Sequence, residues 1–131
     1  MSEKNRVYIH YDPKTDYLGI LDKKCETVAE DAGDGMFELR TVRGRIVGHG
    51  ALDASERLYN LKFLDPMLRL AVQIKIGRLK RGFTQSEMAE KMGIGLLPYQ
   101  RLESGSNNPT LKTILKVKEL LPEVSVDKLA S

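Results

Sequence analysis

Apolar residues recur at every second position over several runs in the first half of the chain, and at every third or fourth position in the second half. Val7 to Tyr11 and Tyr17 to Leu21 are short β-prone runs. Between them lies Asp12 to Asp16, whose Asp and Pro residues favour a turn. A third run, about Glu26 to Glu30, ends in the turn-forming stretch Asp31 to Gly35. Met36 to Arg40 and Arg45 to His49 flank Gly44, which suits a hairpin. Alternation from Met36 to Val42 predicts one wet and one dry face. The expectation is a small antiparallel sheet of four or five strands over residues 1–56. It has little surface to bury, so it should lean on the helical half or on a second copy.

Residues 57–64 read as a linker, with Leu52 to Leu64 the broadest span for a connector. Helical spacing then takes over. Asp65 can cap free N–H groups, and Pro66 is tolerated in a first helical turn, so a first helix should run from Pro66 to Arg81 and stop at Gly82. Gly77 inside it costs about 1 kcal/mol relative to Ala. Thr84 to Glu87 has the form of a capping box and starts a second helix that ends near Met92, before Gly93. A third helix should follow Gly95 and reach Ser104, with Pro98 inside its first turn. Thr110 caps a fourth helix to about Leu121, and Ser125 or Val126 opens a last short turn. The fold class is therefore α+β, a small sheet domain followed by a helical domain at 65–131.

Charge sharpens the division. The net charge is +3, too small to imply nucleic acid by itself. Residues 1–65 carry 10 Lys and Arg against 12 Asp and Glu, and residues 66–131 carry 11 against 6. The positive field thus belongs to the helical half, where it can steer that half towards phosphates. No apolar run approaches the roughly 20 residues that span a bilayer. The single cysteine, Cys25, cannot form an internal disulfide, and no export signal is visible at Met1 to Arg6. The expected location is cytoplasmic, with no membrane partner.

The stretch from Phe83 to Pro109 carries the function. Its second and third helices, separated by Gly93-Ile94-Gly95, have the layout that lets one helix enter a major groove. Ala89 is small enough for a close crossing, and Met88, Met92, Ile94, Tyr99 and Leu102 supply an apolar wedge. With Phe83-Thr84-Gln85, Met88-Ala89, Gly93-Ile94, Arg101-Leu102-Glu103, Gly105 and Pro109, the stretch resembles the Cro and phage-repressor (Xre-type) family of helix-turn-helix domains. The match continues through Leu111, Ile114 and Val117. The resemblance implies a lambda-repressor-like bundle of four to five helices. It also implies an ion pair between Arg78 and Glu103, and a DNA phosphate contact at Gln85. Thr84, Gly95, Leu96, Leu97, Gln100, Arg101, Ser106, Asn107 and Asn108 complete the expected DNA-binding set. Lys75, Lys80, Arg81, Lys91 and Lys112 are further candidate cations.

One departure from the family matters. Leu96, Leu97 and Pro98 occupy places where the family reads bases with polar side chains. Leucine can touch a thymine methyl but offers no hydrogen bond to a base edge, which leaves Gln100 and Arg101 as readers. Two exposed leucines suit a protein interface equally well.

The first half resembles, through Tyr11-Asp12, Asp16, Leu18, Asp34-Gly35 and the stretch Gly44 to Asp53, a family of small domains of unknown function. Such sheet domains fused to this kind of helix-turn-helix domain are similar to antitoxins, which implies a dimeric autorepressor whose first domain binds a toxin or dimerises. The alternative is a protein-interaction module with the third helix as docking surface. Enzyme chemistry is not expected. Asp12 and Asp16 read as turn residues, while His10, His49 and Cys25 lack the spacing of a metal or nucleophile site. No cofactor and no metal are expected.

Overall fold

The computed structural model describes residues 7–22, 24–105 and 108–125. The chain divides into two compact units, Met1–Leu58 and Tyr59–Ser131.

In the first unit, β1 (Tyr8–Asp12), β2 (Tyr17–Leu21), β3 (Val28–Gly33), β4 (Met36–Arg40) and β5 (Ile46–Ala51) form one antiparallel sheet in the order β1-β2-β5-β4-β3. The turns follow from their residues. Asp12 Oδ1 accepts the Lys14 N–H at 2.9 Å. Asp34 and Gly35 both have positive φ (56° and 74°), and Gly33 pairs with Met36, which gives a two-residue hairpin loop. Register puts Tyr11, Leu18, Ile20 and Ala51 on one face, all of them buried. On the opposite face the Tyr17 ring lies across two glycines. A Cβ built on Gly50 would sit 2.2 Å from the Tyr17 hydroxyl oxygen, and one on Gly19 would sit 3.3 Å from the ring. Phe37 meets Tyr17 edge-on, with ring centroids 6.2 Å apart.

The expected connector is not bare chain. It contains a short helix, α1 (Ala54–Arg57), followed by a 3-10 turn at Leu58–Asn60. Asp16 holds it from 39 residues away, accepting the Ser55 hydroxyl at 2.7 Å and the Ser55 N–H at 3.2 Å. The Tyr11 hydroxyl donates to the same carboxylate. Asp16 therefore clasps two parts of the unit in addition to turning the β1–β2 hairpin.

The second unit contains α2 (Pro66–Lys80), α3 (Gln85–Met92), α4 (Leu96–Ser104) and α5 (Leu111–Leu120). Each of three N-termini is capped by its own side chain. Asp65 accepts from Leu68 N at 2.8 Å, Thr84 from Glu87 N at 3.0 Å and Thr110 from Thr113 N at 3.2 Å. The core joins Leu70 and Ile74 of α2 to Met88, Ala89 and Met92 of α3 and to Tyr99 and Leu102 of α4. Val117 of α5 closes it, with Leu121 and Val124. Leu111, at the start of α5, is 71% exposed. The turn expected at Ser125 or Val126 falls largely outside the described residues. No helix among the described residues is long and apolar enough to cross a membrane.

Candidate nucleic-acid interface

Two glycines and one capping box set the angle between α3 and α4. The Thr84 hydroxyl accepts from Glu87 N, and the Glu87 carboxylate returns the contact to Thr84 N at 2.9 Å. Those hydrogen bonds to Thr84, backbone first, hold the Glu87 carboxyl below the usual range. α3 ends at Gly93, whose φ of 70° would strain any other L-residue. Ile94 N–H then donates back to Ala89 carbonyl at 3.0 Å. Gly95 is extended and precedes α4 without a side-chain cap. Pro98, third in α4, lacks only an N–H that the helix start leaves unused.

From that start, α4 divides cleanly by face. Tyr99, Leu102 and Glu103 point inward, spaced by three and four residues. Leu96 and Leu97 are 43% and 57% exposed, and Gln100 and Arg101 are exposed as well.

Glu103 is 3% exposed and is held by three helices. Arg78 of α2 engages it with two bonds, Nε to Oε2 at 2.5 Å and Nη2 to Oε1 at 3.1 Å. The same guanidinium donates to the Phe83 carbonyl at 2.8 Å. The Tyr99 hydroxyl donates to Glu103 from one helical turn earlier. Gln85 of α3 adds a bond to Oε1 at 3.2 Å. Burial works against the Arg78 charge, but the hydrogen bonds and charge of Glu103 outweigh it and hold the guanidinium above its ordinary pKa. Burial first, then Glu103, pushes the Tyr99 hydroxyl far up. The result is a dry, charge-balanced clamp joining α2, α3 and α4.

The clamp reaches the surface through Gln85. Its Oε1 accepts from Gln100 Nε2 at 3.1 Å, so the start of α3 and the exposed face of α4 are tied side chain to side chain. Thr84, Gly95 and Asn108 are exposed, and Ser106 and Asn107 lie outside the described residues. Among the other cations expected at the surface, Arg81 is bound to Glu123 by bonds of 2.5 and 2.9 Å. Its charge is thus matched locally. Lys91 lies 4.8 Å over the Phe83 ring. Lys75 is half-buried, and burial lowers its pKa.

Sequence reasoning placed Tyr99 only in the apolar wedge and missed its hydroxyl. The signal was present, since Tyr99 and Glu103 are four residues apart on one helix face. It also missed Gln73, an amide inside the apolar run Leu70 to Ile74. Gln73 donates to Ser125 carbonyl at 3.2 Å and accepts from Ser125 N at 2.8 Å.

Comparison with known proteins agrees with this geometry. Residues 74–129 match the family model described as Helix-turn-helix. The chain is 41% identical over 46 residues to the cryptic phage CTXphi transcriptional repressor RstR of Vibrio cholerae, covering 35% of this chain and 40% of that one. It is 38% identical over 53 residues to antitoxin HipB of Escherichia coli, covering 40% of this chain and 60% of that one. The chain thus spans about half the length of the curated relatives it matches. No solved structure gave a match. Residues 74–129 are therefore a helix-turn-helix domain of the Cro and phage-repressor type.

Proposed function

We propose that this chain is a non-enzymatic, DNA-binding transcriptional regulator, a dimeric autorepressor of the antitoxin kind working in the cytoplasm. The observation that carries the reading is the Arg78–Glu103–Tyr99–Gln85 clamp, which fixes α4 while leaving Gln100 and Arg101 exposed. In this reading Gln100, braced by Gln85, reads adenine, Arg101 reads guanine, and Leu96 and Leu97 touch thymine methyls. Thr84 and Gln85 at the start of α3, Gly95, and Ser106, Asn107 and Asn108 contact backbone phosphates. A dimer would set two α4 helices about 34 Å apart, one DNA turn. The names of the two relatives, a repressor and an antitoxin, support both halves of the proposal.

Gel shifts on the DNA upstream of the protein's own gene test it. Salt-sensitive retardation is expected, and Arg101→Ala should weaken binding and flatten the salt dependence. Gln85→Ala should do the same with an added loss of stability, since Gln85 also bonds Glu103. Absence of salt-sensitive binding by every fragment would remove the proposal.

The exposure of Leu96 and Leu97 favours a second reading, in which α4 docks a protein such as a toxin. Leu97→Asp separates the two. Loss of a co-purifying small protein with unchanged DNA affinity would favour docking.

A further inference from the structure

The sheet face turned away from Tyr11, Leu18 and Ala51 holds a trough with an aromatic floor. Register lines up His10, Gly19, Gly50 and Phe37 across β1, β2, β5 and β4. The two glycines leave the middle of that row without side chains, and the Tyr17 phenol occupies the gap. Its Cε1 edge lies nearest Gly50 and its Cε2 edge nearest Gly19, so the ring spans two strands with its plane along the sheet. The His10 and Phe37 rings stand on either side, with centroids 6.5 and 6.2 Å from that of Tyr17 and planes inclined to it by 52° and 65°. His10 is exposed, and Tyr17 and Phe37 are half-buried, which leaves the outer face of the phenol open to solvent.

Charge on this face has one sign. Asp12 pairs with Tyr17 and Asp31 pairs with Phe37, so a carboxylate stands beside each wall of the trough. The Lys14 backbone N–H, above all, holds the Asp12 carboxyl below its usual range. Asp31 Oδ1 accepts the Gly33 N–H at 2.7 Å. Among the described residues neither aspartate is ion-paired, and no Lys or Arg takes a strand position on this face. The face of an aromatic ring is itself electron-rich and attracts cations.

We propose that this trough binds a flat organic cation, a heteroaromatic ring carrying one positive charge. The ring stacks on Tyr17 between His10 and Phe37 and is drawn there by Asp12 and Asp31. The flat floor selects the shape, and the carboxylates with the phenol face select the sign of charge. The site lies wholly in the first unit and stands whether or not α4 contacts DNA.

The probe is N-methylquinolinium, with quinoline as its neutral counterpart and naphthoate as an anionic one. Each is titrated at neutral pH into the isotope-labelled full chain and followed by the backbone amide spectrum. The cation should shift the amides of Gly19 and Gly50 and bind about tenfold more tightly than quinoline. Asp31→Lys, at an exposed position, should weaken the cation by about fivefold and leave quinoline unchanged. Tyr17→Leu should abolish binding and Tyr17→Phe should retain it, with the same spectra reporting whether each variant is folded. Should Tyr17→Leu unfold, Asp31→Lys decides alone. Equal affinity for the three rings, shifts confined to other parts of the chain, or undiminished binding of the cation by Asp31→Lys would each overturn the proposal.

Discussion

Gln73 holds Ser125 by both ends of its amide, donating to the backbone carbonyl and accepting from the backbone N–H across 52 residues of sequence. Gln73 is 6% exposed, so neither bond is readily replaced by water. Gln73→Ala should destabilise the helical unit by about 2–3 kcal/mol, because it strands a backbone donor and a carbonyl. Gln73→Glu keeps the acceptor but sets a buried carboxylate against the Ser125 carbonyl, so it should be the worse of the two at neutral pH. Urea unfolding followed by helical circular dichroism should rank the three chains wild type, Gln73→Ala, Gln73→Glu.

Breaking the clamp should cost more. Arg78→Ala leaves the Glu103 carboxylate buried without its counter-charge, a loss of about 3–5 kcal/mol. Glu103→Gln leaves a neutral acceptor for Tyr99 and Arg78 and should be milder in its effect on Tyr99. Equal unfolding midpoints for Arg78→Ala and the wild type would refute the structural weight assigned to the pair.

Gly93 and Gly105 form a matched pair of left-handed helix ends, with φ of 70° and 68°. They differ in space. A Cβ on Gly93 meets nothing within 4 Å, whereas one on Gly105 lies 3.0 Å from Leu68 Cδ2 and 3.5 Å from Leu68 Cα. Gly93→Ala should cost about 1–2 kcal/mol from backbone conformation alone. Gly105→Ala should cost more, and the difference between the two melting shifts measures the crowding against α2.

Acid should weaken the helical unit through two carboxylates. Arg81's hydrogen bond holds Glu123 below its ordinary pKa of 4.5, and the Thr84 cap does the same for Glu87. Each group binds fewer protons folded than unfolded. Its stabilising contribution is therefore complete above about pH 4.5 and fades as pH falls through the lower, folded value. Glu123→Gln should be less stable than wild type at neutral pH, and the gap should close in acid. Both groups are largely solvated, so the effect is small. A gap that persists unchanged to the lowest pH would contradict the assignment.

How much of this was legible depended on the distance over which the residues interact. Asp65, Thr84 and Thr110 cap helices through bonds to N–H groups three residues on, so their helices begin where the sequence places them. The strands likewise fall within one or two residues of the alternating runs, apart from the end of β3, which extends to Gly33. α1 was missed because four residues show no periodicity, and its anchor, Asp16, lies 39 residues upstream. The same applies to Arg81, read as a free surface cation when its partner Glu123 is 42 residues on. In the candidate interface, the outward position of Leu96, Leu97, Gln100 and Arg101 followed from their alternation with Tyr99 and Leu102. The tie between Gln85 and Gln100 did not, since it needs the angle between two helices.

The Tyr17 phenol covering Gly19 and Gly50 makes the order of mutation matter in this sheet. Filling position 50 first would expel the aromatic group into water, whereas losing the ring first would free the same site for a larger residue. Lineages descending from this chain should therefore keep the pair or abandon it together. Either glycine replaced beneath an intact tyrosine should be the rare combination.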